Sequence, residues 1–227
     1  MVSGGGSGIG REIALRLAGR GHPLALLGRR AGPLAETLSM TAGQGLALEC
    51  DVRDPAAVAG AAAAIEERWG AAAIVVPAAG VAAIAPLEDM PAERFRAMID
   101  TNLTGAALLI ASLLGGMKRQ GSGWIFPILS AAARRGFPGW SAYCASKWGL
   151  AGLVAALREE LAGSGVRMTA IYPGATATPL WNELPGSWDR SRMVPAAEVA
   201  RAVETALDAD PAALVEEIHL GPAGGAL

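Results

Sequence analysis

The chain has 227 residues, a formal net charge of −2, 52% hydrophobic residues and a mean hydropathy of +0.35. No arginine-rich tract is long enough for a nucleic-acid footprint, so nucleic acid is not an expected partner. Two cysteines build no disulfide framework, no charged-then-apolar leader opens the chain, and Gly, Pro and Arg interrupt every apolar stretch before the run of about 20 that spans a bilayer. The expected setting is therefore the reducing cytoplasm, with no membrane partner.

In chain order, only Met1 and Val2 precede a glycine-rich turn at 3–10, where a central strand usually has about 5 residues. The first strand is accordingly expected to be truncated or unusually short. A helix is predicted over 11–18, a strand over 24–27, a helix over 34–41, a strand over 46–50 and a helix over 55–69. Then come a strand over 73–76, a helix over 104–119, a strand over 125–129, a helix over 142–162, a strand over 168–172, a helix over 196–207 and a strand over 215–220. Leu24-Ala25-Leu26-Leu27 and Ala73-Ile74-Val75-Val76 are continuously apolar, as parallel strands buried on both faces should be. The alternation predicts α/β architecture: a single domain over 1–227, a doubly wound (Rossmann) parallel sheet flanked by helices.

Three groups of residues suggest chemistry. In the turn, Gly4, Gly6, Ser7, Gly8, Ile9 and Gly10 run straight into a helix, which gives a tight bend, close backbone approach to a pyrophosphate, and free N–H groups at a positive dipole end. After the second strand stand Gly28, Arg29 and Arg30, with no acid to read a ribose 2′-hydroxyl. Arg29 would instead pair with a 2′-phosphate, which favours NADP(H) over NAD(H). Finally, Tyr143 and Lys147 use one of two tyrosines and one of two lysines, four residues apart on one helix face. A phenol with a pKa of about 10 needs a nearby cation to exchange its proton at neutral pH, and Lys147 is expected to supply it.

With these motifs the sequence resembles the short-chain dehydrogenase/reductase family over essentially its whole length. The family's Thr-Gly-x-x-x-Gly-x-Gly maps onto 3–10, with Ser3 in place of Thr. Asp51-Val52 matches the pair that borders adenine, Asn102 matches the helix asparagine of the catalytic tetrad, and Ser130 lies 13 residues before Tyr143, the family's spacing. Pro173-Gly174, followed by Thr178, matches the segment that holds the nicotinamide carboxamide. Ala79 and Gly80 close a segment that in the family reads Asn-Asn-Ala-Gly and here reads Pro77-Ala78-Ala79-Gly80.

The resemblance implies that Ser130 hydrogen-bonds the substrate oxygen, Tyr143 exchanges its proton, Lys147 stabilises phenolate and contacts the nicotinamide ribose, and Asn102 holds a relay water beside Lys147. The expected activity is NADP(H)-dependent interconversion of a carbonyl and a secondary alcohol of small or medium size. The expected assembly is a homodimer or homotetramer through the helices at 104–119 and 142–162. The rival reading is a catalytically weak cofactor-binding protein with a sensing or scaffolding role. It rests on the short first strand and on Pro77 and Pro127, because proline is rarely tolerated inside a central strand. Trp181 and Trp188, in the stretch 180–193, are expected to form a substrate lid, with Trp140 lining the pocket. His22 and His219 have no partner ligands in sequence, so no metal is expected.

Overall fold

The computed structural model describes residues 1–41, 45–210 and 212–225. The first half runs β1 (Val2–Ser3), α1 (Gly8–Gly19), β2 (Leu24–Gly28), α2 (Ala31–Ser39), β3 (Gly45–Glu49), α3 (Pro55–Trp69), β4 (Ile74–Pro77) and α4 (Ala92–Ile99). The second runs α5 (Gly105–Gln120), β5 (Gly123–Ile125), α6 (Ser141–Glu160), β6 (Val166–Met168), β7 (Ala170–Pro173), β8 (Thr176–Ala177), β9 (Val194–Pro195), α7 (Ala196–Leu207) and β10 (Glu217–Leu220). Among the described residues a six-stranded sheet has the order β3-β2-β1-β4-β5-β6, with every pairing parallel. Past Thr169 the last strand resumes as β7 and pairs in parallel with β10. The order reverses between β1 and β4, the kind of point at whose carboxyl side open α/β sheets take ligands.

Apolar side chains cover both faces of this sheet. On one face Val58 and Ile65 of α3, Leu109, Ile110, Leu113 and Met117 of α5, and Leu150 and Val154 of α6 pack together; on the other are Ile13 and Leu17 of α1, Leu34 of α2, and Val199 and Val203 of α7. Burial from both sides explains why Leu24, Ala25, Leu26 and Leu27 are all inaccessible. Local chemistry sets the helix ends. Asp54 accepts from the Ala56 N–H ahead of Pro55 at the start of α3, and Gly121, at φ +68°, closes α5 in the left-handed conformation.

The short first strand is observed: Val2 pairs with Leu26 on one side and Val76 on the other. The two prolines do not end the pairing around them. Pro127 lacks the N–H that would extend its ladder toward Thr169, yet its carbonyl accepts from Ile171 N at 3.1 Å. Ile128 N donates to Pro77 O at 3.1 Å, and Leu129 N to Ile171 O at 2.8 Å. The predicted strand at 125–129 is therefore regular only over Gly123–Ile125, while its hydrogen bonding runs on to Leu129. Other boundaries shift as well: the helix expected over 34–41 spans Ala31–Ser39, and the strand expected over 168–172 is split at Thr169.

One helix had no counterpart in the sequence pattern. Ala92–Ile99 carries three charged residues and buries only Met98, which packs with Phe95 against Ala142 of α6; at eight residues it is shorter than the window over which a helical period is read. It joins α5 through a π-helical turn at Asp100–Thr104 to make one 29-residue helix, Ala92–Gln120, in which an 18-residue window reaches a mean hydropathy of 1.5. By length and composition alone this helix is long and apolar enough to cross a bilayer, although Asp100 and Lys118 bound its uncharged run short of about 20 residues. In the fold its Leu109, Ile110, Leu113 and Met117 face the core.

Candidate active site

The glycine-rich turn closes against the ends of its neighbours. Ser3, at the end of β1, is fully buried, and its Oγ accepts from Ala78 N at 3.0 Å and Ala79 N at 3.1 Å, tying β1 to the loop after β4. Gly4 has φ +67°, and a Cβ there would meet the Ala78–Ala79 backbone at 3.1 Å. A Cβ on Gly10 would lie 2.4 Å from the Gly4 carbonyl oxygen, so α1 can start this close to the turn only with glycine. We expect Gly10→Ala to displace the turn, at a cost of about 1–3 kcal/mol. Thermal unfolding and a nucleotide titration of the variant measure this, with at least a tenfold loss of affinity expected.

The first turn of α1 has no side-chain cap: Ser7 is its N-cap residue but makes no capping hydrogen bond. Its N–H groups are the kind of site an anionic phosphate takes. Arg11 reaches back from α1, donating from Nη2 to Gly6 O at 2.6 Å and pairing with Glu36 of α2 at 3.1 Å. A Cβ on Gly6 would stand 2.9 Å from that of Pro33, so turn and α2 are in contact. Arg29 is exposed at the end of β2 and adds a little to the lowering of the Asp51 pKa. The main cause of that shift is Arg53, whose forked contact holds the Asp51 carboxyl down at about 2. Val52 is buried against Gly105, Gly174 N donates to Leu220 O at 2.7 Å, and the Thr178 side chain lies 3.2 Å from the Cβ position of Gly8. The predicted nucleotide residues therefore gather along the carboxyl edge of the sheet.

The four tetrad residues meet at the same edge. Asn102, 1% exposed in the π-turn, accepts from Val81 N at 2.8 Å, and its Nδ2 donates to Val81 O and to Ser146 Oγ, each at 2.9 Å. Both amide hydrogens are thus engaged in clamping the long helix to the loop after β4 and to α6; one free lone pair on Oδ1 is what the side chain retains for a water. A Cβ on Gly80 would touch that Oδ1 at 3.3 Å and Lys147 Nζ at 4.0 Å, so glycine keeps the two groups open to each other. Sequence reasoning missed Ser146, although its place three residues after Tyr143 puts it on the helix face toward Asn102. Its Oγ donates to Tyr143 O at 2.7 Å.

Tyr143 and Lys147 lie on the first two turns of α6. Lys147 is buried, donates from Nζ to Ile128 O at 2.9 Å, and stands 5.8 Å from the centre of the Tyr143 ring. Burial holds its ammonium down at about 8. Burial likewise pushes the Tyr143 phenol up to about 12, while a hydrogen bond with the Ser130 hydroxyl pulls it partway back. Withdrawal from water thus favours the neutral form of both groups. Ser130 ends the β5 segment, and its Oγ also accepts from Ala132 N at 3.1 Å, which fixes the following turn. The other tyrosine, Tyr172, is tied to Arg134 and Glu217.

A family model described as short chain dehydrogenase matches residues 1–187. Sepiapterin reductase of Chlorobaculum tepidum is 36% identical over 235 residues, covering 99% of this chain and 96% of that protein. Among solved structures, an alcohol dehydrogenase of the archaeon Thermococcus sibiricus, complexed with 5-hydroxy-NADP, superposes with a TM-score of 0.89 at 28% identity, over 98% of this chain and 95% of the other. A serine dehydrogenase complexed with NADP+ gives 0.92 at 25% identity, over 100% and 95%. With a model match over most of its length and a relative of this identity, the chain belongs to the short-chain dehydrogenase/reductase family of oxidoreductases.

Proposed function

We propose that this chain, as one domain, catalyses NADP(H)-linked interconversion of a carbonyl and a secondary alcohol. The observation that carries the reading is the meeting of Ser130, Tyr143 and Lys147 at the sheet edge that also bears the glycine turn. The residues present fit a dinucleotide: the turn accommodates no Cβ at Gly4 or Gly10, and the uncapped start of α1 offers N–H donors to a pyrophosphate. Ser7, Gly8 and Ile9 would hold the phosphates, Asp51 and Val52 the adenine side, and Pro173, Gly174 and Thr178 the nicotinamide side. When bound, the nicotinamide supplies or receives the hydride.

The chain's own residues handle the oxygen and the proton. Ser130 Oγ donates a hydrogen bond to the substrate oxygen and holds it against Tyr143. At neutral pH a phenol raised to about 12 keeps its proton, so it is ready to give it to the alkoxide that forms as a carbonyl is reduced. Lys147 lies near enough to offset the phenolate left behind, and its remaining N–H groups would meet the nicotinamide ribose. The reverse reaction needs phenolate, so alcohol oxidation should rise steeply through the alkaline range while reduction stays flat near neutrality. A pair of pH–rate profiles checks the contrast. The sensor reading is weakened by the hydrogen bonds that continue past both prolines. A panel of carbonyls with NADPH tests the choice: a sensor binds the nucleotide without oxidising it.

Arg29 is the residue we assign to the 2′-phosphate. A charge-assisted bond of about 1.5–3 kcal/mol, with no carboxylate at Gly28 to oppose it, predicts NADPH binding at least about tenfold tighter than NADH. Gly28→Asp combined with Arg29→Ala should reverse the order. The new Cβ meets Leu34 Cδ2 at 3.3 Å, a contact that a small side-chain adjustment absorbs. Equal affinities in the parent protein, or a preference untouched by the double change, would put the phosphate contact elsewhere.

A further inference from the structure

A chain of aromatic rings leads outward from Tyr143. Trp140 stands edge-on to the Tyr143 ring, with centroids 5.4 Å apart and planes at 70°. Trp181 stands edge-on to Trp140 at 6.0 Å, and Trp188 leans on Trp181 at 4.7 Å. All four rings are partly exposed. Their orientations are fixed from below. Trp140 heads α6, where its carbonyl accepts from Cys144 N at 2.8 Å; Trp181 Nε1 donates to Thr176 O at 2.8 Å, and Trp188 Nε1 to Pro185 O at 3.1 Å. With both of those indole N–H groups engaged by backbone, Trp181 and Trp188 present ring surface and no donor to a visitor. Asp189, on the same segment, is turned onto Ser191, and Arg190 onto Asn182.

We propose that this wall selects a substrate whose carbonyl carbon is attached to a planar aromatic ring. The inference rests on the carbonyl-reducing reading, because Tyr143 is what places the reacting oxygen at the inner end of the wall. A ring next to a carbonyl held at Tyr143 falls beside Trp140 and Trp181, whose spacing is that of interacting aromatic pairs. Edge-to-face and offset contacts favour a π-system over a saturated ring of equal size, whereas apolar burial alone gives the phenyl group no advantage over a cyclohexyl group.

The matched probes are 1-phenylethanone and 1-cyclohexylethanone. Each is titrated by calorimetry into the protein with NADP+ present, and each is assayed separately for turnover with NADPH. The phenyl ketone should bind about 3- to 10-fold more tightly. Trp181→Leu should bring the affinity ratio close to one, and Trp181→Phe, which keeps a ring while losing the indole N–H, should restore much of it. Equal or reversed affinities in the parent protein, binding of neither ketone, or a ratio unchanged in Trp181→Leu would each overturn the inference. The two readings fail separately. Phenyl-selective binding without turnover of either ketone removes the reductase reading and leaves the aromatic site, whereas equal binding and turnover of both ketones removes the aromatic site and leaves the reductase.

Discussion

Tyr143→Phe is expected to lower carbonyl reduction by about 10²–10⁴-fold, equivalent to roughly 3–5 kcal/mol of lost transition-state stabilisation. The ring stays, so its edge contact with Trp140 and the fold of α6 are kept. Only the hydroxyl goes, and with it the proposed proton donor, which hydrogen-bonds the Ser130 hydroxyl. Because the phenol keeps its proton at neutral pH, removing it exposes no unpaired charge and leaves the nucleotide contacts alone. NADPH affinity and melting temperature should therefore stay close to those of the parent. Retention of most of the reductase activity would show that another group delivers the proton, and the mechanism would be wrong at its centre.

The parts of this molecule that repeat or alternate were legible in its sequence. Continuous apolar runs at β2 and β4 marked strands covered on both faces, and α3 and α7 begin and end where their patterns do. Tyr143 and Lys147 stood out for another reason: they are rare residue types here, at a spacing that a helix brings onto one face. What stayed hidden depends on contacts between distant segments. Helix α4 is only eight residues long, too short for a helical period to stand out, and is held by its continuity with α5 and by Met98 packing on Ala142 of α6. The hydrogen bonds of Ser3 and Ser146 run to residues 75 and 44 positions away, and no local pattern encodes them. Pro127 misled because the rule against proline in a strand counts the lost donor, whereas its carbonyl still takes part in the ladder. The acidities of Tyr143 and Lys147 belong to the same class, since spacing along a helix says nothing about how far a pair is withdrawn from water.

That withdrawal makes Lys147→Met the more discriminating replacement, because it should abolish turnover while making the protein more stable. Burial lowers the ammonium from its ordinary 10.5 to about 8. Unfolded chain therefore binds more protons than folded chain between those two values, and stability rises with pH across that window. The penalty is fully present below pH 8 and gone above about 10.5. At neutral pH it is on the order of 3 kcal/mol. Methionine fills much of the same volume without a charge but forfeits the bond to Ile128 O, a loss of about 1 kcal/mol. The net expectation is a gain of roughly 1–2 kcal/mol at pH 7, shrinking as the pH approaches 10.5. Turnover should fall by at least about 10², and NADPH should bind about tenfold more weakly if the same ammonium meets the nicotinamide ribose. Denaturant unfolding at pH 7 and pH 10, set beside a nucleotide titration, separates the roles. A variant less stable than the parent at pH 7 would mean that Lys147 is a net structural support, and unchanged NADPH affinity would remove the ribose contact while leaving its service to Tyr143 intact.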